Sequence, residues 1–164
     1  MSTIWPHIAI LAFVTAQRLI ELPIARANTR RLLAAGGREV APGHYPLVVA
    51  LHAAWLATLW WLAPARPLNL IFFVLFVLLQ LLRIWTLQSL GARWTTRIIV
   101  VPGEKLVARG PYRFVDHPNY LVVTGEIAVL PMVFGLWRVA LIFSLLNAAL
   151  LWVRISAENR ALGR

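Results

Sequence analysis

Five apolar runs, each close to the length that crosses a bilayer, decide what this chain can become. They extend from about Ile4 to Ala25, Leu47 to Ala63, Leu68 to Leu90, Asn119 to Gly135 and Arg138 to Ser156. A membrane-spanning helix needs about 20 mostly apolar residues, with a range of about 17–25. Inside lipid every backbone polar group must be paired within the segment, so runs of this kind become helices. The third run, LNLIFFVLFVLLQLL, is the most uniformly apolar, and the first is the most mixed, carrying Gln17, Arg18 and Glu21. That mixture, with no small-residue cleavage site after it, does not suit a removable signal peptide. Composition agrees with the runs. Of 164 residues, 60% are hydrophobic and 13% charged, against about 45–50% and 25% in soluble domains. The expectation is an all-α polytopic membrane protein with about five transmembrane helices, forming one domain over residues 1–164.

The connections alternate between short and long. Pro64–Pro67 and Gly135–Trp137 are tight turns, whereas Arg26–Pro46 and Gly91–Pro118 are long. Basic residues follow that alternation. The long connections hold Arg26, Arg30, Arg31, Arg38, Arg93, Arg97, Lys105, Arg109 and Arg113, and the C-terminal end adds Arg154, Arg160 and Arg164. The short turns hold only Arg66 and Arg138. Positive residues favour the cytoplasmic face. The expected topology therefore has the N-terminus outside and both long loops and the C-terminus in the cytoplasm, in the inner (plasma) membrane. The net charge of +10 is then topological and attracts anionic headgroups, so a nucleic-acid partner is not expected. Without cysteine there is no thiolate site, and without HExxH-type histidine spacing no metal is expected.

Charge at membrane depth is costly, at least about 2.5 kcal/mol per residue, and persists where it is paired or lines a cavity. Arg18 and Glu21 are three apart on one helix and can pair. Gln80 and Arg83 share that spacing, and Arg154 and Glu158 are four apart near the inner end of the last run. Glu126 has no cation at helical spacing, so it needs Arg83 or Arg18 from another helix, or a proton. His7 falls near the outer surface, His44 in the first inner loop and His52 one turn inside the second run.

The densest chemistry lies in GPYRFVDHPNY, Gly110 to Tyr120. Gly-Pro makes a turn, Asp116 is a suitable N-cap and Pro118 suits the first helical turn. Capping leaves two tyrosines, a histidine and an asparagine unexplained at a helix N-terminus. Free N–H groups there attract a carboxylate, and tyrosines stack on or hydrogen-bond a planar ligand. Phosphate-loop, GxGxxG and GxSxG patterns are absent, which argues against nucleotide hydrolysis, a Rossmann domain and an α/β-hydrolase.

GPYRFVDHPNY, with Arg154 and Glu158 in RISAENRAL, resembles the isoprenylcysteine carboxyl methyltransferase family of integral-membrane enzymes that use S-adenosylmethionine. RLIELPIARANTRRLLAAGGREV, HYPLVVALHAAWL and LRIWTLQSLGARWTTRIIVVPG look like a small bacterial branch that methylates polyketide-derived phenolic or pyrone lipids. The resemblance implies a cofactor pocket in the C-terminal half. Its segment falls on Tyr112, His117, Pro118 and Tyr120, its terminal glutamate on Glu158, and Arg83, Gln88 and Trp94 complete the wall. The family's arginine before His-Pro is Asp116 here. A contact made by that arginine is lost or inverted, which favours a neutral hydroxyl over a prenylcysteine carboxylate unless Arg113 or Arg109 compensates.

The implied reaction is displacement of the sulfonium methyl group by a substrate oxygen. It requires alignment at about 3–3.5 Å, and aromatic faces and carboxylates suit the cationic sulfonium. A phenol, with a pKa near 10, gains from a base. Glu126, His117, His52 and Asp116 are the candidates, Glu126 first and His117 second. Arg18, Glu21, His44 and His52 are expected on the substrate side, where the lipid enters sideways from the bilayer. Arg18–Glu21 also reads as a structural ion pair, and Asn28 as a cap on a helix end. The competing expectations are methyl-esterification of a prenylcysteine, N-methylation of a phospholipid headgroup, and a non-enzymatic transporter or assembly subunit.

Overall fold

Helices form over the apolar runs, but their ends shift where caps and turns decide. In a computed structural model, which describes residues 4–162, α1 is Trp5–Ala34, α2 Tyr45–Leu62, α3 Leu70–Leu90, α4 Pro118–Val133 and α5 Trp137–Leu162. α1 runs well past Ala25, where the expected first span ended. It has good helix formers in ARANTRRLLA and stops only before Gly36, whose φ is +87°. A helix of 30 residues is about 45 Å long. Its last turns, with Arg26, Arg30 and Arg31, therefore continue beyond a hydrocarbon core of about 30 Å.

The expected all-α polytopic architecture is observed, among the described residues as four helices long and apolar enough to cross a membrane and one shorter apolar helix, α4. Its 16 residues give about 24 Å. Pro118 fixes its start, and it ends at Phe134 before Gly135 with φ +67°. The N-cap is His117 rather than Asp116, with Pro118 in the first turn as expected. α4 is held in the middle of the bundle. Val122 is fully buried, and Ile127, Leu130 and Val133 are fully buried in a core shared with Leu11, Trp55, Leu59 and Phe76. Gly125 lets α4 lie against α3, since a Cβ there would meet Leu79 at 2.7 Å.

The two ends of the bundle differ. At one end Asn69 caps α3, its side chain accepting from the amides of Ile71 and Phe72, while its own N–H donates to Val133 O at 2.8 Å. His7 joins this end. It is buried, stacked on Phe134 and bonded to Arg66 O at 2.6 Å in the short turn. At the other end the two long connections pair with each other. β1, Arg38–Glu39, and β2, Ile99–Val100, form an antiparallel ladder in which Arg38 faces Val100 and Glu39 faces Ile99. Arg97 donates to Glu39 at 2.7 Å beside it. This ladder has no signature in the sequence, because two-residue strands have no periodicity to read. Arg154 on α5 donates to Thr96 O at 3.1 Å. Both long basic connections and the end of α5 thus share one end of the bundle.

Candidate functional site

The polar groups inside the helices form one network. Arg83 donates through Nε and Nη2 to both oxygens of Glu21, at 2.7 and 2.5 Å, and through Nη1 to Glu126 at 2.9 Å. Arg18 reaches Glu126 at 2.5 Å and Glu21 at 3.3 Å, and Gln80 donates to the other Glu126 oxygen at 2.8 Å. Three helices, α1, α3 and α4, are tied by two cations and two carboxylates of balanced charge. Glu126 finds its partners on other helices, as its isolation in the sequence required. Its oxygens accept from three donors on α1 and α3, which ties α4 to both helices.

Beside this network lie two cavities. One, of about 320 Å³, sits at the loop end between the Gly91–Pro118 connection, the start of α4 and the end of α5. Tyr112, Asp116, His117, Tyr120, Glu158 and Trp94 line it. Tyr120 donates its hydroxyl to Glu158 Oε2 at 2.7 Å. The His117 ring stacks on Tyr120 at 5.2 Å, with Nδ1 3.8 Å from the same Glu158 oxygen, too far for a hydrogen bond. The Arg154 guanidinium lies 5.5 Å from the centre of the opposing Tyr120 ring system. Burial pushes the Tyr112 hydroxyl well above the usual phenol range, and the nearby Glu158 carboxylate adds to that. Trp94 is 5% exposed, and its indole N–H has no partner among the described residues.

The loop that covers this cavity is pinned at several points. Asn28 on α1 donates to Gly91 O and Trp94 O, at 3.4 and 2.8 Å, so it caps the end of another helix. Arg109 donates to Ser89 O at 2.8 Å, and Arg93 pairs with Glu104. Gly110, with φ +59°, passes so close to α3 that a Cβ would lie 2.0 Å from Ser89 Oγ.

The second cavity, of about 300 Å³, lies between α1, α2, α4 and α5. Leu19, Leu22, Val49, Leu56, Val123 and Leu151 make it largely apolar, and Arg18, Glu21, Arg83 and His52 also line it. Trp94, Thr95, Asn119, Tyr120 and Arg154 line both cavities, so they form a common wall.

Three expected site residues lie elsewhere. Gln88 is exposed and lines neither cavity, because Ser89, one position on, is the residue buried on α3. Pro118 is buried at the first turn of α4, where it shapes the helix start without lining the cavity. His44 is buried in the single turn before α2 and lines neither cavity, while Tyr45 beside it does. Thr95, Thr96 and Asn147 were not singled out by the sequence. Thr96 donates to the Tyr45 hydroxyl at 3.2 Å, and Asn147 donates to Thr124 at 3.5 Å. Asn147 carried a readable signal, as a lone amide inside LIFSLLNAALLWV.

Comparison with known proteins follows the same half of the chain. The "Isoprenylcysteine carboxyl methyltransferase (ICMT) family" matches residues 70–164, which include α3, the covering loop, α4 and α5. A Bacillus subtilis (strain 168) protein described as "Uncharacterized protein YpbQ" is 36% identical over 166 residues, covering 93% of this chain and 94% of that protein. No solved structure matches. The match through both cavity-forming helices and the covering loop places the chain in the isoprenylcysteine carboxyl methyltransferase family, a family of membrane-bound methyltransferases that use S-adenosylmethionine.

Proposed function

We propose that this protein is an S-adenosylmethionine-dependent O-methyltransferase that acts on a lipophilic phenolic or pyrone-type hydroxyl at the cytoplasmic face of the inner membrane. The observation that carries this reading is the shared wall. A polar chamber at the loop end meets an apolar chamber within the helices at Trp94, Thr95, Asn119, Tyr120 and Arg154. A water-soluble donor and a lipid acceptor reach such a wall from opposite sides.

The polar chamber's residues fit S-adenosylmethionine. Tyr112, Tyr120 and Trp94 offer aromatic surface and Glu158 offers a carboxylate, both suited to a cationic group. The buried indole N–H of Trp94, unpartnered among the described residues, is a donor for an acceptor, and the first turn of α4 favours a carboxylate. When bound, the cofactor supplies an electrophilic methyl group. The chain's own residues do the rest. Arg154 at the shared wall favours the anionic form of the attacking oxygen. His117, stacked on Tyr120, receives the hydroxyl proton. The covering loop, pinned by Asn28 and Arg109, keeps water out.

Arg154 also favours a second reading. A buried guanidinium whose Nε has no partner among the described residues suits a carboxylate, as a prenylcysteine would present. It disfavours phospholipid N-methylation, which builds positive charge at the acceptor. The test is methyl transfer from labelled S-adenosylmethionine by the detergent-purified protein to a long-chain phenol, a prenylcysteine and phosphatidylethanolamine. Calorimetric binding of S-adenosylhomocysteine to wild type, His117→Ala and Glu158→Ala accompanies it. Transfer to the phenol with binding lost in both variants supports the proposal. Transfer to the prenylcysteine alone replaces it with the second reading, and no cofactor binding by folded protein overturns both.

A further inference from the structure

The apolar chamber has a second polar level that methyl transfer at the shared wall does not use. His52 on α2 lines this chamber. Its Nδ1 lies 2.8 Å from Val48 O, one turn earlier on the same helix. A carbonyl oxygen only accepts, so Nδ1 carries the proton, and Nε2 of the neutral ring is left as an acceptor. No partner for Nε2 occurs among the described residues. An unpaired acceptor in an apolar chamber is costly unless a ligand or water meets it.

Helix geometry gives the depth of that acceptor. Tyr45 marks the level of the shared wall on α2, through its bond with Thr96, and His52 lies seven residues further, about 10 Å along the axis. On α4, Glu126 lies six residues beyond Tyr120, about 9 Å. On α5, Asn147 lies seven residues before Arg154, again about 10 Å. On α1, Glu21 lies seven residues before Asn28, which is bonded to Trp94 at the wall. Four helices thus place a polar residue at one depth. Most of these groups are consumed by each other. Arg83, Glu21 and Glu126 are fully engaged in the ionic network, whereas Arg18 Nε is without a partner. Among the described residues, the free capacity at this level includes an acceptor, His52 Nε2, and a donor, Arg18 Nε, on a neighbouring helix.

We infer that the lipophilic acceptor carries a second oxygen function, a hydroxyl about 10 Å from the methylated oxygen, and that His52 receives its hydrogen bond while Arg18 faces its oxygen. This rests on reading the apolar chamber as the acceptor's site. His52 and Arg18 then select the substrate without touching the reacting atoms. A purely hydrocarbon tail would leave both groups desolvated and unpaired, so a monohydroxyl lipid binds more weakly than one that supplies the second group.

The test compares two synthetic probes, a long-chain alkylphenol and the same molecule bearing one hydroxyl on its chain at that distance. Binding to the detergent-purified full chain is followed by tryptophan fluorescence, and methyl transfer is measured separately. The hydroxylated probe is expected to bind about tenfold more tightly to wild type, the effect of one well-placed hydrogen bond. In His52→Leu that ratio should fall to about one, and in His52→Gln, which retains an acceptor, part of it should return. S-adenosylhomocysteine binding, which uses the other chamber, reports that the variants are folded. Equal affinity for the two probes in wild type, a ratio unchanged in His52→Leu, or no binding of either probe overturns the inference. Selective binding without methyl transfer overturns the proposed reaction and leaves the assignment of His52 standing. Transfer to both probes with equal affinity does the reverse.

Discussion

Tyr120 and Glu158 are joined by a 2.7 Å hydrogen bond that ties the first turn of α4 to the late turns of α5. The bond closes the polar chamber on the side facing His117. A hydrogen bond to a charged group contributes about 1.5–3 kcal/mol. Tyr120→Phe should therefore lower stability by about that amount. Glu158→Ala should in addition weaken S-adenosylhomocysteine binding at least tenfold by calorimetry, and full affinity in that variant would remove Glu158 from the cofactor site.

Glu126 accepts from Arg18, Arg83 and Gln80. Glu126→Gln leaves two guanidinium groups facing one carboxylate. Breaking a buried pair costs about 3–5 kcal/mol, and thermal unfolding in detergent should show a loss of that order. Turnover by the protein that remains folded should stay within a few-fold of wild type. Abolished turnover with normal cofactor and probe binding would return Glu126 to the role of base.

Asp116 stands at the rim of the polar chamber, where the family motif has arginine. Restoring the cation with Asp116→Arg should raise the ratio of methyl transfer to a prenylcysteine over a long-chain phenol. A ratio that does not move would show that substrate charge is read elsewhere, with Arg154 the next residue to vary.

Gly110 has φ +59° and no room for a Cβ, which would meet Ser89 at 2.0 Å. Gly110→Ala combines a left-handed backbone with a collision. The conformation alone costs about 1–3 kcal/mol in a residue with a side chain. Chemical denaturation should show at least that loss, and limited proteolysis should cut the Gly91–Pro118 connection sooner.

Tyr112 keeps its proton above the usual phenol range because it is buried beside Glu158. In the unfolded chain it ionises near pH 10. Above that pH the unfolded state has lost a proton that the folded state retains, so stability falls as pH rises. Tyr112→Phe removes this contribution. The midpoint of alkaline unfolding, followed by circular dichroism, should move to higher pH in the variant, and an unchanged midpoint would place Tyr112 in a solvated setting.

Much of this arrangement is legible in the sequence, and the rest fails for definable reasons. Hydropathy locates α2 and α3 to within a couple of residues because lipid-facing helices need unbroken apolar runs. It ends α1 at Ala25 because Arg26 begins a polar stretch, but a helix leaving the membrane needs no apolar residues, and nothing in Arg26–Ala34 stops it. Glu126 demanded a distant cation, and two were supplied. Gln88 failed because the relevant neighbour, Ser89, is set by the rotation of α3 against Gly110, a contact between segments 21 residues apart. The common wall was legible only in part, at Trp94 and Tyr120 through the family resemblance. Thr95, Asn119 and Arg154 come from three separate segments, and only the fold brings them together.

The ionic network also bears on how the bundle is assembled in the bilayer. Arg18 and Glu21 enter the membrane on one helix with their charges already balanced. α3 then brings a lone cation, Arg83, and α4 a lone anion, Glu126. Neither of these two helices is comfortable in lipid by itself, and each is neutralised only when it finds the other beside α1. A misordered bundle would strand a charge in hydrocarbon. The quartet is complete only when α1, α3 and α4 have met.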